Sequence, residues 1–214
     1  GAKLIADCDS AEAWTTLSDS TTRREGTHSQ STGSIVGGAT VTGTLTPGTA
    51  LNLASGLNSA AAYTTADFIN FFVNFNTAAN VDTTNTWIRL GDGPDTNYFQ
   101  LLASSWGTLA DGWNLISVLK SAFAQTGTPS WSSIAKLSFT TTNQTAALTA
   151  LYDDCYMIYA STMPACGYVR EYKNMVIGAS STASPSVVFF SPVSAPDQYD
   201  ADAELPIAED DGDD

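Results

Sequence analysis

The stretch DFINFFVNFN constrains this chain more than any other, because Ile69, Phe71, Val73 and Phe75 alternate with Asn70, Phe72, Asn74 and Asn76. A period of two sends successive side chains to opposite faces of a strand, whereas a helix would scatter the same four apolar residues around its axis. TWIRLG repeats the pattern with Ile88 and Leu90 opposite Trp87 and Arg89, and IAKLSFTTT puts Ala135, Leu137 and Phe139 on one face. GWNLISVLK and ALYDDCYMIYA read as further strands, and the turn-rich pieces TPGTA, GDGPDTN, QTGTPSW and TTTNQT separate them. SGLNSAAAYTTADF and LISVLKSAFAQ each have room for a short helical turn, and neither carries a long apolar stripe. The expectation is an all-β fold, an antiparallel β-sandwich of the jelly-roll kind, over residues 1–160.

Residues 161–214 differ in texture. STMPACG looks like a connector, and YVREYKNMVIGAS and PSVVFFSP read as the two strands of a hairpin. Four of the eight prolines fall in the last thirty residues, and no periodic pattern follows Pro192. A lone hairpin is marginal in water, so this segment reads as an extended, hairpin-containing arm or as the start of a further domain.

Of 214 residues, 43% are hydrophobic, enough for one sizeable core, and 14% are charged, against roughly a quarter in an average soluble domain. Threonine, serine, asparagine and glycine fill the gap, a surface common in secreted and virion β-proteins. Nine of the 22 acids lie after residue 196, so the preceding residues carry thirteen acids against eight bases. Arg23-Arg24 is the one basic pair; with no basic stripe to track phosphates, nucleic acid is not an expected partner. No run of about 18 apolar residues is present, so no membrane span is expected. Three cysteines without a CxxC pair point neither to zinc nor to a dense disulfide framework.

LIADCDSAEAW near the start and LYDDCYMIYA at the end of the first domain, with DGWNLISV and WSSIAKLSF between them, resemble the strands of carbohydrate-binding-module-like jelly rolls. The resemblance covers about residues 4–159. It implies that the first and last strands lie side by side with a structural calcium between them. Asp9 and Asp153 would then be side-chain ligands, with Asp154 as a substitute. Calcium takes six to eight oxygens, and facing carboxylates would otherwise repel; the same aspartates also read as exposed strand ends. The implied adjacency brings Cys8 near Cys155, either as a disulfide or as two small buried neighbours. The stretch YVREYKNMVIGASSTASPSVVFFSPVSAPDQYD resembles a recurring segment of bacteriophage tail-associated proteins, in which the chain continues beyond an acidic Asp-Gly-Asp. By that likeness EDDGDD is an internal loop, and Gly1 in place of Met fits a segment of something longer.

Sugar binding needs exposed aromatic rings beside amides and carboxylates. Trp87, Tyr98, Trp106 and Trp131 are the aromatic candidates, with Asp92, Asp95 and Asn97 of GDGPDTNYF beside them. Each tryptophan also reads as core, as Trp14 and Trp113 do. Catalysis finds little support, since the single histidine, His28, lies in a polar stretch without a paired motif and no GxSxG occurs. TNQT at Asn143 matches a glycosylation sequon. The expectation is a non-enzymatic virion structural protein of a phage tail, fibre or capsid-decoration layer. It would be homo-oligomeric, anchored to other virion subunits through residues 161–214, with a host surface glycan as a further partner. The alternative is a carbohydrate-binding module of a secreted enzyme or adhesin.

Overall fold

The computed structural model describes residues 3–9, 12–24, 26–54, 68–92, 96–158, 166–172, 175–181, 187–190 and 204–206. The chain divides into two compact units, Lys3–Met157 and Ile158–Asp214, the latter together with residues 1–2. The first unit holds strands β1 (Lys3–Ala6), β2 (Leu17–Asp19), β3 (Ser29–Ser31), β4 (Thr40–Leu45), β5 (Phe68–Phe75) and β6 (Trp87–Gly91). They are followed by β7 (Tyr98–Leu102), β8 (Gly112–Leu119), β9 (Ala124–Thr126), β10 (Lys136–Thr142) and β11 (Ala150–Ile158). The second unit holds β12 (Cys166–Tyr172), β13 (Met175–Ser181), β14 (Val187–Phe190) and β15 (Glu204–Pro206). Among the described residues helical structure is confined to three single 3-10 turns, one of them Lys120–Ala122 inside the stretch expected to hold a turn. The other such stretch, residues 55–67, lies outside the described residues.

The first unit is an antiparallel β-sandwich. One sheet runs β2-β3-β11-β5-β8, with β1 also paired to β11; the other runs β4-β10-β6-β7-β9. The first and last strands are neighbours, Lys3 opposite Met157 and Ala6 opposite Cys155, with a bulge between Leu4 and Ala6. Alternation decides which side chains meet between the sheets. Ile69, Phe71, Val73 and Phe75 of β5 are fully buried, as are Ile88 and Leu90 of β6 and Leu137 of β10. Burying each such side chain stabilises the fold by about 1.5–3 kcal/mol. Phe139 of β10 ties the two layers together, its ring 5.6 Å from that of Phe71 on β5 and stacked at 4.2 Å on Tyr152 of β11.

The second unit is a four-stranded antiparallel meander, β12-β13-β14-β15. The single strand expected over residues 168–180 is two, with Tyr172 opposite Met175. The sequence between them is the polar pair Lys173-Asn174, a turn signal that the apolar count passed over. A fourth strand, β15, pairs Val187 with Pro206 in a stretch that showed no period; three residues at a sheet edge, one of them proline, are too short to display one. The acidic residues 207–214 lie outside the described residues.

Candidate carbohydrate-binding face

Since Ile88 and Leu90 point into the core, Trp87 and Arg89 stand on the outer face of the second sheet. Across β7 they meet Leu102 and Gln100, and Gly91 meets Tyr98. Gly91 is needed there: a Cβ on it would come within 2.6 Å of the Asn97 carbonyl oxygen and 3.2 Å of the Tyr98 Cβ. The room it leaves lets Tyr98 lean over Arg89. The guanidinium carbon of Arg89 sits 3.8 Å from the Trp87 ring centroid and 4.0 Å from that of Tyr98. Arg89 Nε donates to Gln100 Oε1 at 2.6 Å, which fixes the plane of the fork.

Next to this stack, β4 and β10 present a ladder of hydroxyls. Thr40 bonds Thr142 at 2.8 Å, Thr42 bonds Thr140 at 2.7 Å and Thr44 bonds Ser138 at 3.3 Å. Paired hydroxyls of this kind keep a polar face ordered: Thr40 and Thr42 are exposed with a lone pair to offer, while Ser138, Thr140 and Thr142 beneath them are buried. Where the ladder reaches Trp87 the surface dips into a groove of about 520 Å3, lined by Thr40, Thr42, Asp82, Asn85, Trp87 and Thr142 among others. Asp82 is preset: Oδ1 accepts from the Thr84 backbone N–H (3.0 Å) and hydroxyl (2.7 Å) and the Asn85 N–H (3.2 Å), while Oδ2 accepts from Asn85 Nδ2 (2.8 Å). These donors, the Asn85 amide foremost, hold its carboxyl below the usual carboxylate range. Along β6 the groove lies on the side of Trp87 away from Arg89, so the ring stands between the cation and the groove. A flat ring beside hydroxyls, an amide and an ionised carboxylate can stack on the apolar face of a pyranose and bond its hydroxyls.

Two of the residues expected from sequence, Trp87 and Tyr98, therefore share one face, but each has one ring face covered by Arg89. Asp92 follows β6, and its Oδ1 is buried without a hydrogen bond among the described residues. Asn97 is structural, its Oδ1 accepting the Thr128 N–H at 3.0 Å. Asp95 lies outside the described residues. Trp106 does not reach this face: it is 6% exposed and packs edge-on against Phe71 at 5.1 Å, inside the core. Trp131 also serves packing, stacked on Phe99 at 4.0 Å with the Lys120 ammonium 5.1 Å from its ring. Of the tryptophans expected in the core, Trp14 stacks on Phe139 at 5.7 Å, and Trp113 is half-buried. Asn143 of the sequon is buried, its Oδ1 accepting the Gly38 N–H at 2.6 Å and its Nδ2 donating to the Ala146 carbonyl. Arg89, Gln100, Asp82, Asn85 and the threonine ladder were not singled out from sequence; the alternation in TWIRL already turns Arg89 outward with Trp87.

The aspartates expected to hold calcium do something else. Asp9 Oδ1 accepts from the Thr27 N–H (2.8 Å), the His28 N–H (2.7 Å) and the Thr27 hydroxyl (3.1 Å), while Asp153 Oδ2 accepts the Arg24 N–H at 2.6 Å. The Thr27 N–H, followed by that of His28, lowers the Asp9 carboxyl. Asp154 takes a left-handed φ of 46° at the bend of β11. The backbone N–H groups occupy one oxygen of each carboxylate, Oδ1 of Asp9 and Oδ2 of Asp153, and among the described residues no three His, Cys, Asp or Glu side chains gather. Cys8 and Cys155 are both buried and are free thiols rather than a disulfide, Cys155 lying opposite Ala6 in the pairing. Burial pushes both well above the ordinary thiol range, helped at Cys8 by Cys155 and then Glu12 and at Cys155 by Glu12 and Asp154. Cys8 adopts a φ of 60°, held by its N–H on Glu12 Oε2 (2.9 Å) and its carbonyl on Gln30 Nε2 (2.7 Å).

No protein-family model and no curated protein matches the chain. Solved structures are similar in fold. A family 11 carbohydrate-binding module from Clostridium thermocellum, in complex with a β-1,3-1,4-mixed-linked tetrasaccharide, superposes with a TM-score of 0.50 at 12% identity, over 76% of this chain and 98% of that one. The family 30 module of a cellulosomal cellulase from the same organism gives 0.49 at 13% identity over 68% and 83% of the two chains. A β-1,2-glucanase from Parabacteroides distasonis gives 0.48 at 12% identity over 90% of this chain and 27% of that one. At these identities the likeness concerns the β-sandwich fold alone.

Proposed function

We propose that the unit Lys3–Met157 is a carbohydrate-binding module, which binds a glycan without cleaving it on the outer face of the β4-β10-β6-β7-β9 sheet. The observation that carries this reading is the groove of about 520 Å3 in which the Trp87 ring meets ordered hydroxyls, the Asn85 amide and the Asp82 carboxylate. Trp87 is the platform on which a sugar ring stacks, and Asp82 and Asn85 fix its orientation through hydroxyl groups. The exposed hydroxyls of Thr40 and Thr42 run along β4 beside them, which suits a chain passing through rather than a monosaccharide enclosed on all sides. The module reading replaces the virion reading as the leading one, because the fold likeness is to a module of this kind, whereas the virion role rests on composition and on a short sequence resemblance in the second unit.

Affinity electrophoresis against soluble glycans, beginning with a mixed-linkage β-glucan, tests it. Retardation of the wild-type chain by at least one glycan is expected, as is its loss in Trp87→Ala with the melting temperature little changed. A Trp87→Ala protein retarded as strongly as wild type would remove this face from consideration.

A further inference from the structure

Resting on the reading of this face as the glycan site, we propose that its ligand is an acidic glycan, with a uronic-acid carboxylate seated on the outer edge of the Arg89 guanidinium. Three observations carry this. First, Arg89 is positioned by both rings and by Gln100, at 3.8 Å, 4.0 Å and 2.6 Å, so the fork is rigid before any ligand arrives. Secondly, only Nε is used in that arrangement. Among the described residues no acid pairs with Arg89, so the end-on edge formed by the two terminal amino groups is left for an acceptor, and that edge matches the two oxygens of a carboxylate. A guanidinium serving only to brace the rings would be expected to carry a carboxylate counter-ion in a chain of net charge −14.

Thirdly, the surroundings are sorted by charge. The outward positions of β4, β10, β6 and β7 are Thr40, Thr42, Thr44, Lys136, Ser138, Thr140, Thr142, Trp87, Arg89, Gly91, Tyr98, Gln100 and Leu102, two cations and no acid. The nearest acids along β6 lie beyond it at either end, Asp82 past the Trp87 ring in the groove and Asp92 after Gly91. A uronate on Arg89 thus has the Trp87 ring between itself and Asp82. The next residue of the glycan then lies in the groove on the far face of that ring. The overall negative charge repels a polyanion at long range, so any preference must come from this local contact and not from general attraction.

The test is calorimetry of the full chain with polygalacturonate and with the same polymer fully methyl-esterified, which differ in charge but share a backbone. The acid form is expected to bind about tenfold or more tightly, with affinity falling as salt is raised. Arg89→Gln is expected to remove that difference, and a thermal melt checks that it folds. Should Arg89→Gln unfold, the salt dependence and the ester comparison on the wild type decide alone. Equal binding of the acid and its ester, or binding of neutral glucans only, would overturn the uronate assignment and leave the module reading standing. Dextran sulfate bound as tightly as the polyuronate would overturn it too, by showing an attraction for any polyanion. No binding to any glycan would bring down both.

Discussion

Replacing Asp9 by alanine separates a calcium-free hook from a metal site. The Asp9 carboxylate accepts two backbone N–H groups and one hydroxyl from Thr27 and His28. Hydrogen bonds to a charged group contribute about 1.5–3 kcal/mol each when buried. Asp9 is half-exposed, so solvent screening reduces the total to about 1–2 kcal/mol, or about 2–8 °C in melting temperature for a unit of this size. The pH dependence follows from the direction of the shift. The folded carboxyl titrates below its unfolded value of about 3.9, so its contribution is complete above that pH and is lost as pH falls through the lower, folded value. Melts of wild type and Asp9→Ala, at pH 7 and near pH 3, with and without a chelator, give the assay. The expected result is a gap at pH 7 that the chelator leaves unaltered and that narrows in acid. A wild-type melt lowered by several degrees on chelation, or an Asp9→Ala melt equal to wild type at pH 7, would refute the reasoning.

Gly26→Ala should cost about 1–3 kcal/mol, since φ is +56° and the new Cβ would lie 2.7 Å from both Asp9 carboxylate oxygens; a denaturant titration measures it. Phe139→Ala, which empties the point where the two sheets meet, should cost about 3–5 kcal/mol in the same assay, and a loss under 1 kcal/mol would contradict its bridging place. Cys8 and Cys155 should be silent to a thiol reagent in the native protein and react once it is unfolded without reductant; two thiols still missing after unfolding would mean a disulfide.

The core was legible because burial and period two coincide: Ile69, Phe71, Val73 and Phe75, the alternating apolar residues of DFINFFVNFN, are all fully buried. The adjacency of first and last strands was legible only through resemblance, as nothing local in LIADCDS specifies its partner. Site residues were harder. Trp106 and Trp131 follow or precede irregular segments, where alternation gives no face, and both proved to be packing. Arg89 lies within a strand whose inward residues, Ile88 and Leu90, were identified correctly, so its outward placement followed from the same pattern, whereas the strand Tyr98–Leu102 that carries Gln100 was not read from the sequence. Their partnership with Trp87 and Tyr98 depends on the register of β6 against β7, which the sequence does not display. Asp9 and Asp153 were singled out as acids near the strand ends, yet the backbone N–H groups they accept, those of Thr27 and His28 and of Arg24, are ones that no side-chain pattern reveals.

The central claim is that a glycan occupies the outer face of the β4-β10-β6-β7-β9 sheet, and amide and indole chemical-shift mapping during titration with a bound oligosaccharide tests it most directly. The perturbed signals are expected to cluster on Trp87, Arg89, Thr40, Thr142, Asn85 and Tyr98. Perturbations confined to the opposite sheet around Phe72 and Leu115, or to the second unit, would contradict it.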